Sequence, residues 1–92
     1  MTDNLYNLYN LQPNQIVMYS VDWCPDCKRA KSFFERNQIS YLLVDVDHDP
    51  QGADFVRQVN RGNRTVPTIV FPDGSMLVEP SNTQLDEKFS KS

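Results

Sequence analysis

The chain is short of the residues that most metal and base-driven sites need. Its 92 residues hold only two cysteines and one histidine. Two cysteines cannot form a disulfide framework. A structural zinc site takes four ligands, so it would have to recruit His48, carboxylates or a second chain. No apolar run approaches the ~20 residues of a membrane-crossing helix. No basic excess exists either: 9 Lys and Arg face 12 Asp and Glu, for a net charge of −3, which gives no signature of nucleic-acid or anionic-membrane binding. The start, Met1-Thr2-Asp3-Asn4, lacks the positive charge and apolar stretch of a secretory signal. The expected compartment is therefore the cytoplasm, where a close cysteine pair points to catalysis rather than structure. The length suits one domain with a modest core.

What is present centres on Trp23-Cys24-Pro25-Asp26-Cys27. The apolar run Ile16-Val17-Met18-Tyr19 precedes it, and a segment of helical character, Lys28 to Arg36, follows. Two thiols at i and i+3 on a first helical turn can close a disulfide with little backbone movement. The unsatisfied N–H groups and partial positive charge of a helix start favour a thiolate. Cys24, at the very start, is the expected nucleophile, and Cys27, one turn in, is expected to be shielded. Pro25 suits the first helical position. Asp26, an acid between two sulfurs, opposes a thiolate, and Lys28 and Arg29 counter it. A purely structural disulfide would close too short a loop to stabilise much.

Taken in order, residues 1–14 form a polar tail containing the repeat Asn4-Leu5-Tyr6-Asn7-Leu8-Tyr9-Asn10-Leu11. A docking peptide or short amphipathic helix is one reading of that repeat; a loosely packed tail is the expected one. Ile16 to Tyr19 is a strand of buried type. The helix after Cys24 is expected over about 25–37, with Ala30, Phe33 and Phe34 on its packing face. Tyr41 to Val46 is a second strand, which makes a parallel βαβ unit. Asp45, Asp47, His48 and Asp49 then read as a solvated loop rather than a metal site. Asp49-Pro50 starts a helix running to about Asn60, with Ala53, Val56 and Val59 inward and Gly62 ending it. His48 is an exposed loop residue, not a base.

In Thr65-Val66-Pro67-Thr68-Ile69-Val70-Phe71, a proline stands at the mouth of an apolar strand, where it cannot donate to a ladder. A cis Val66–Pro67 bond is one solution, though a minority outcome for a sequence alone. Pro72 to Ser75 is a tight turn before a short strand, Met76-Leu77-Val78. Ser81-x-x-Gln84 has the capping-box pattern and opens a last helix with Leu85 and Phe89 inward.

This order, with Cys24-Pro25-x-Cys27 and Thr65-Val66-Pro67 at their spacing, resembles the thioredoxin fold in its short glutaredoxin form. The likeness covers about residues 15–90. It is closest to the mycoredoxins and related small bacterial glutaredoxin-like proteins, on Ala53-Asp54-Phe55-Val56, Asn60, Gly62, Asn63, Thr65 to Thr68, Asp73-Gly74 and Pro80-Ser81. The resemblance implies an α/β fold, a four-stranded mixed sheet in the order 2-1-3-4 with three helices, for a domain spanning 15–92. It implies a cis Val66–Pro67 bond beside Cys24 and a Val66 backbone that pairs with a bound substrate. The implied activity is reduction of mixed disulfides between proteins and a low-molecular-weight thiol, with Cys24 as nucleophile and Cys27 resolving. Trp23, Pro25, Arg64, Thr65, Val66 and Pro67 are the candidate substrate contacts. By position alone Arg64 either neutralises a carboxylate of the small thiol or is a plain surface charge, Thr65 either bonds a ligand or braces the loop, and Trp23 packs beside Cys24.

No tightly bound cofactor or metal is implied. The co-substrate would be glutathione, mycothiol or bacillithiol, the partners protein disulfides and a flavoprotein reductase, and the state a monomer. The chain departs from glutathione-using glutaredoxins at Val21, where those carry Lys, at Asp26, where they carry Tyr, and at Glu79-Pro80-Ser81, where they carry a Gly-Gly pair. Two alternatives stand beside this reading. One is a thioredoxin-like dithiol reductant of protein disulfides. The other is a dimer holding an iron–sulfur cluster on Cys24 and an external thiol, a geometry that a rigid Pro25 hinders.

Overall fold

The computed structural model describes residues 8–90. Four strands and three helices follow in the order β1 (Val17–Ser20), α1 (Pro25–Arg36), β2 (Leu42–Asp45), α2 (Pro50–Val59), β3 (Thr68–Val70), β4 (Met76–Val78) and α3 (Asn82–Ser90). The strands form one sheet in the order β2-β1-β3-β4, the arrangement expected. β1 runs parallel to β2, with Val17 opposite Leu42 and Ser20 opposite Asp45, and antiparallel to β3, with Tyr19 opposite Thr68. β3 and β4 close an antiparallel hairpin.

β1 is apolar from Val17 to Tyr19 because it is central and covered on both faces; all four of its residues, the polar Ser20 included, are buried. Its alternation divides the core in two. Val17 and Tyr19 pack with Val44, Val70 and the α2 residues Ala53, Phe55 and Val56. Met18 and Ile69 pack on the other face with Phe33 and Phe34 of α1 and Leu85 of α3. Phe55 was not among the inward positions expected for α2, because it lies off the Ala53, Val56, Val59 series; it meets the Tyr19 ring at 5.1 Å between centroids. At Gly52, a Cβ would stand 2.8 Å from Val44 Cγ1, so the absent side chain lets α2 approach β2 closely.

The helix ends follow their sequence signals closely. α1 begins at Pro25, with Cys24 as N-cap, and stops at Arg36. Ser81 and Gln84 make the reciprocal capping box: Gln84 N donates to Ser81 Oγ at 3.1 Å and Ser81 N to Gln84 Oε1 at 2.9 Å. The tight turn leading to β4 forms with Gly74 at a φ of +88°, where glycine carries no steric penalty.

Two features differ from expectation. The segment ahead of β1 is docked from residue 8 rather than loose: Leu8 and Tyr9 pack on the α2-side core. Tyr9 N donates to the Tyr19 hydroxyl at 2.9 Å, and the Tyr9 hydroxyl donates to Asp49 Oδ2 at 2.6 Å. The earlier part of the Asn-Leu-Tyr repeat lies outside the described residues. Asp49 does hold the N-cap position of α2 but makes no side-chain cap bond; its carboxylate is committed to Tyr9 instead. That bond, followed by burial, pushes the Tyr9 hydroxyl up to about 12.

Candidate active site

The sheet order brings three chain segments to one end. β1 and β2 are parallel and both finish there, and β3, antiparallel to β1, starts there. The loop after β1 carries Trp23 and Cys24, the loop after β2 carries Asp47, and the segment before β3 carries Arg64 to Pro67.

Cys24 is the N-cap residue of α1, with extended backbone (φ −89°, ψ 118°). Its sulfur takes the place that Ser or Asp oxygen takes in ordinary caps, accepting the Cys27 N–H at 3.2 Å. That amide and the helix dipole favour negative charge on the sulfur. The Cys24 thiol also lies 3.9 Å from the Val66 carbonyl oxygen. The Val66–Pro67 bond is cis, as the resemblance implied. Both cysteines are free thiols.

Their settings differ. Cys24 keeps 8% of its surface exposed and Cys27 none. Burial, and then the hydrogen bond with Cys24, pushes the Cys27 thiol up to about 12, so it stays protonated at neutral pH. Asp26, the acid between the sulfurs, is answered by Arg29, whose Nη1 lies 3.0 Å from its carboxylate. Arg29 also donates through Nη2 to the Pro80 carbonyl at 3.1 Å.

The family profile described as Glutaredoxin matches residues 16–76. The chain belongs to the glutaredoxin family. Relatives agree. A Mycobacterium tuberculosis protein with a provisional glutaredoxin name is 43% identical over 76 residues, spanning 83% of this chain and 90% of that one. Mycoredoxin 1 of Corynebacterium glutamicum is 36% identical over 67 residues, spanning 73% and 82%. Among solved structures, a thioredoxin-like protein superposes with a TM-score of 0.69 at 25% identity, over 79% of this chain and 97% of that one. The holo form of glutaredoxin C1 from Populus tremula x tremuloides superposes at 0.64 and 22% identity, over 97% and 85%. The protein is a thiol–disulfide oxidoreductase of the glutaredoxin and mycoredoxin type.

The glutaredoxin scaffold brings part of the expected set together: Val66 approaches Cys24, and Trp23 and Arg64 meet on an added residue, Asp47. Pro25 is exposed at the first helical position and Pro67 is fully buried. Thr65 offers its carbonyl to the Thr68 hydroxyl at 2.8 Å, which braces the segment. Trp23 is 67% exposed, and its indole Nε1 donates to Asp47 Oδ2 at 2.9 Å. Arg64 pairs with the other oxygen of the same carboxylate. Asp47 is the residue that sequence reasoning passed over as solvated loop. The Arg64 guanidinium, and after it the Trp23 indole, hold its carboxyl below the usual carboxylate range. His48 is exposed, as expected, and sits 2.8 Å from Asp45 Oδ2. Among the described residues no cluster of metal-ligating side chains occurs, and no helix is long and apolar enough to cross a membrane.

Proposed function

We propose that the protein reduces mixed disulfides between a protein and a low-molecular-weight thiol. The Cys24 thiolate attacks the sulfur of the small-thiol half. A Cys24–small-thiol disulfide forms, the S–S bond between the small thiol and the protein cysteine breaks, and the departing protein thiolate takes a proton from solvent. A second small-thiol molecule then attacks the adduct, regenerates the Cys24 thiolate and leaves as the symmetric disulfide. The observation that carries this reading is the asymmetry of the pair: Cys24 caps the helix and keeps 8% of its surface exposed, while Cys27 is fully buried one turn below with a thiol raised to about 12. Nucleophilic attack therefore belongs to Cys24. Cys27 acts as a resolving group once Cys24 carries a disulfide.

Trp23, Pro25, Val66 and Pro67 frame the bound disulfide, and Thr65 braces that frame. The small thiol is of mycothiol type, which carries no carboxylate, rather than glutathione. Arg64 is already paired with Asp47, and Glu79 adds negative charge where glutathione-using glutaredoxins carry a Gly-Gly pair. The similarity to Mycoredoxin 1 supports the same choice. The working setting is the reducing cytoplasm, with the protein acting as a monomer.

The test is turnover of one cysteine peptide capped with glutathione, mycothiol or bacillithiol. Cys24→Ser abolishes activity on every cap, a loss of at least ~10³-fold for a missing nucleophile. Cys27→Ser retains turnover of the mycothiol-capped peptide. A dead Cys27→Ser protein whose parent reduces intramolecular protein disulfides would make it a dithiol reductant instead.

A further inference from the structure

We propose that Asp47 determines which small thiols this site accepts, by holding Arg64 and Trp23 in a rim that works against a thiol bearing a carboxylate. The proposal rests on the reading above, in which a small-thiol moiety sits beside Cys24.

The geometry is specific. Trp23 directly precedes Cys24, and Arg64 stands two residues before Val66, whose carbonyl oxygen is 3.9 Å from the Cys24 sulfur. Both side chains reach a single carboxylate, the indole on Oδ2 and the guanidinium on Oδ1. The Arg64 and Asp47 side chains are 31% and 33% exposed, so the pair is partly desolvated but not sealed. Its surroundings are acidic. Asp45 holds His48 at 2.8 Å, and Asp22 is near enough to help raise the His48 pKa. Three carboxylates, Asp22, Asp45 and Asp47, thus surround His48, and one of them, Asp47, also holds Arg64.

An incoming carboxylate meets a cation that is already engaged. To reach Arg64 it must either displace Asp47, leaving that carboxylate with the indole N–H alone, or crowd against it on one cation, where two carboxylates repel. It also brings a further negative charge into an acidic rim. A thiol without a carboxylate pays neither cost and finds Trp23 already oriented. Asp47 is accordingly a positioning residue: it acts through Arg64 and Trp23 and takes no part in sulfur chemistry.

Two substitutions move this balance in opposite directions. Asp47→Asn keeps an oxygen acceptor for the indole and removes the charge that holds Arg64. Arg64→Gln removes the cation and leaves the Asp47 charge unpaired. The substrate is one cysteine peptide, capped either with glutathione or with glutathione whose two carboxylates are amidated. The readout is the ratio of KM values for the charged and amidated caps. In Asp47→Asn the ratio falls about fivefold, the size of one partly exposed charge pair; in Arg64→Gln it rises. kcat on the amidated cap stays unchanged in Asp47→Asn. The emission of Trp23, the only tryptophan in the sequence, is retained in Asp47→Asn and shifts in Asp47→Ala, which lacks the acceptor.

A ratio unmoved in both variants, or moved the same way in both, overturns the proposal. A wild-type protein that turns over the mycothiol cap but neither glutathione cap overturns the carboxylate filter, and one inactive on the mycothiol cap as well overturns the small-thiol reading itself, which is a separate outcome. Should Asp47→Asn fold poorly, Arg64→Gln alone decides: a fall in its ratio refutes the rim as an anion filter.

Discussion

Two carboxylate-centred clusters stand at opposite ends of the sheet, and they use the same chemistry differently. At the thiol end, Asp47 joins Trp23 and Arg64 across chain separations of 24 and 17 residues. At the hairpin end, Asp73 takes the Ser75 amide and hydroxyl at 2.9 and 2.6 Å and the Lys88 ammonium at 2.6 Å. Lys88 also sits 4.6 Å above the buried Phe71 ring. The hairpin cluster pins a local turn to α3 over an aromatic floor. The rim cluster joins three separate loops around an exposed indole beside the nucleophile. The Asp73–Ser75 bonds can be read from neighbouring residues, whereas both ion pairs, Asp73–Lys88 across 15 residues and Asp47–Arg64 across 17, depend on the topology.

Beside the loss of the nucleophile, the largest expected effect lies below the rim, at the buried Cys27. With Cys24→Ser in place, the Cys27 thiol should resist iodoacetamide from pH 7 to 9 and react at least ~100-fold faster in urea, because burial withholds its thiolate. Equal rates in the two conditions would show that the thiol is not sealed. Next in size, Trp23→Ala should raise KM for a mixed-disulfide peptide about tenfold, as losing an exposed aromatic contact does, with little change in melting temperature.

The matching change at the other end, Lys88→Met, should do the reverse, lowering the melting temperature by a few degrees and leaving turnover intact. If both substitutions acted on both observables, the two ends would not be independent. The smallest effect is the Asp45–His48 pair at the margin of the rim. Asp45 raises the His48 pKa, so the pair's stabilisation is fully present below the ordinary imidazole pKa of ~6.5 and is lost as pH rises through the raised folded value. Urea midpoints at pH 5.5 and 8.5 should show this slope in wild type and not in His48→Gln.

Much of the molecule was legible because its signals are local. The buried run from Val17, the proline after Cys24, the Asp49-Pro50 start and the Ser81–Gln84 capping box each name an element from a few adjacent residues. The cis Val66–Pro67 bond was legible only through resemblance, since the residues alone favour trans. Asp47 was not legible from its own loop, where a run of acids looks like a solvated helix approach. The signal that could have found it was the strand order 2-1-3-4, which brings the ends of β1 and β2 and the start of β3 together and makes Trp23, Asp47 and Arg64 neighbours. Tyr9 escaped notice for a similar reason: inside an Asn-Leu-Tyr repeat nothing marks one tyrosine as the residue that binds Asp49, 40 residues away.

Arg29 has a mechanical consequence. Its guanidinium spans from Asp26, on the helical turn that carries both thiols, to the Pro80 carbonyl just ahead of the α3 cap. The turn is thereby trussed at two points, and the start of α3 is tied to the thiol platform by one side chain. A disturbance at the capping box, although remote from sulfur, has in this one side chain a direct link to the turn on which Cys24 sits.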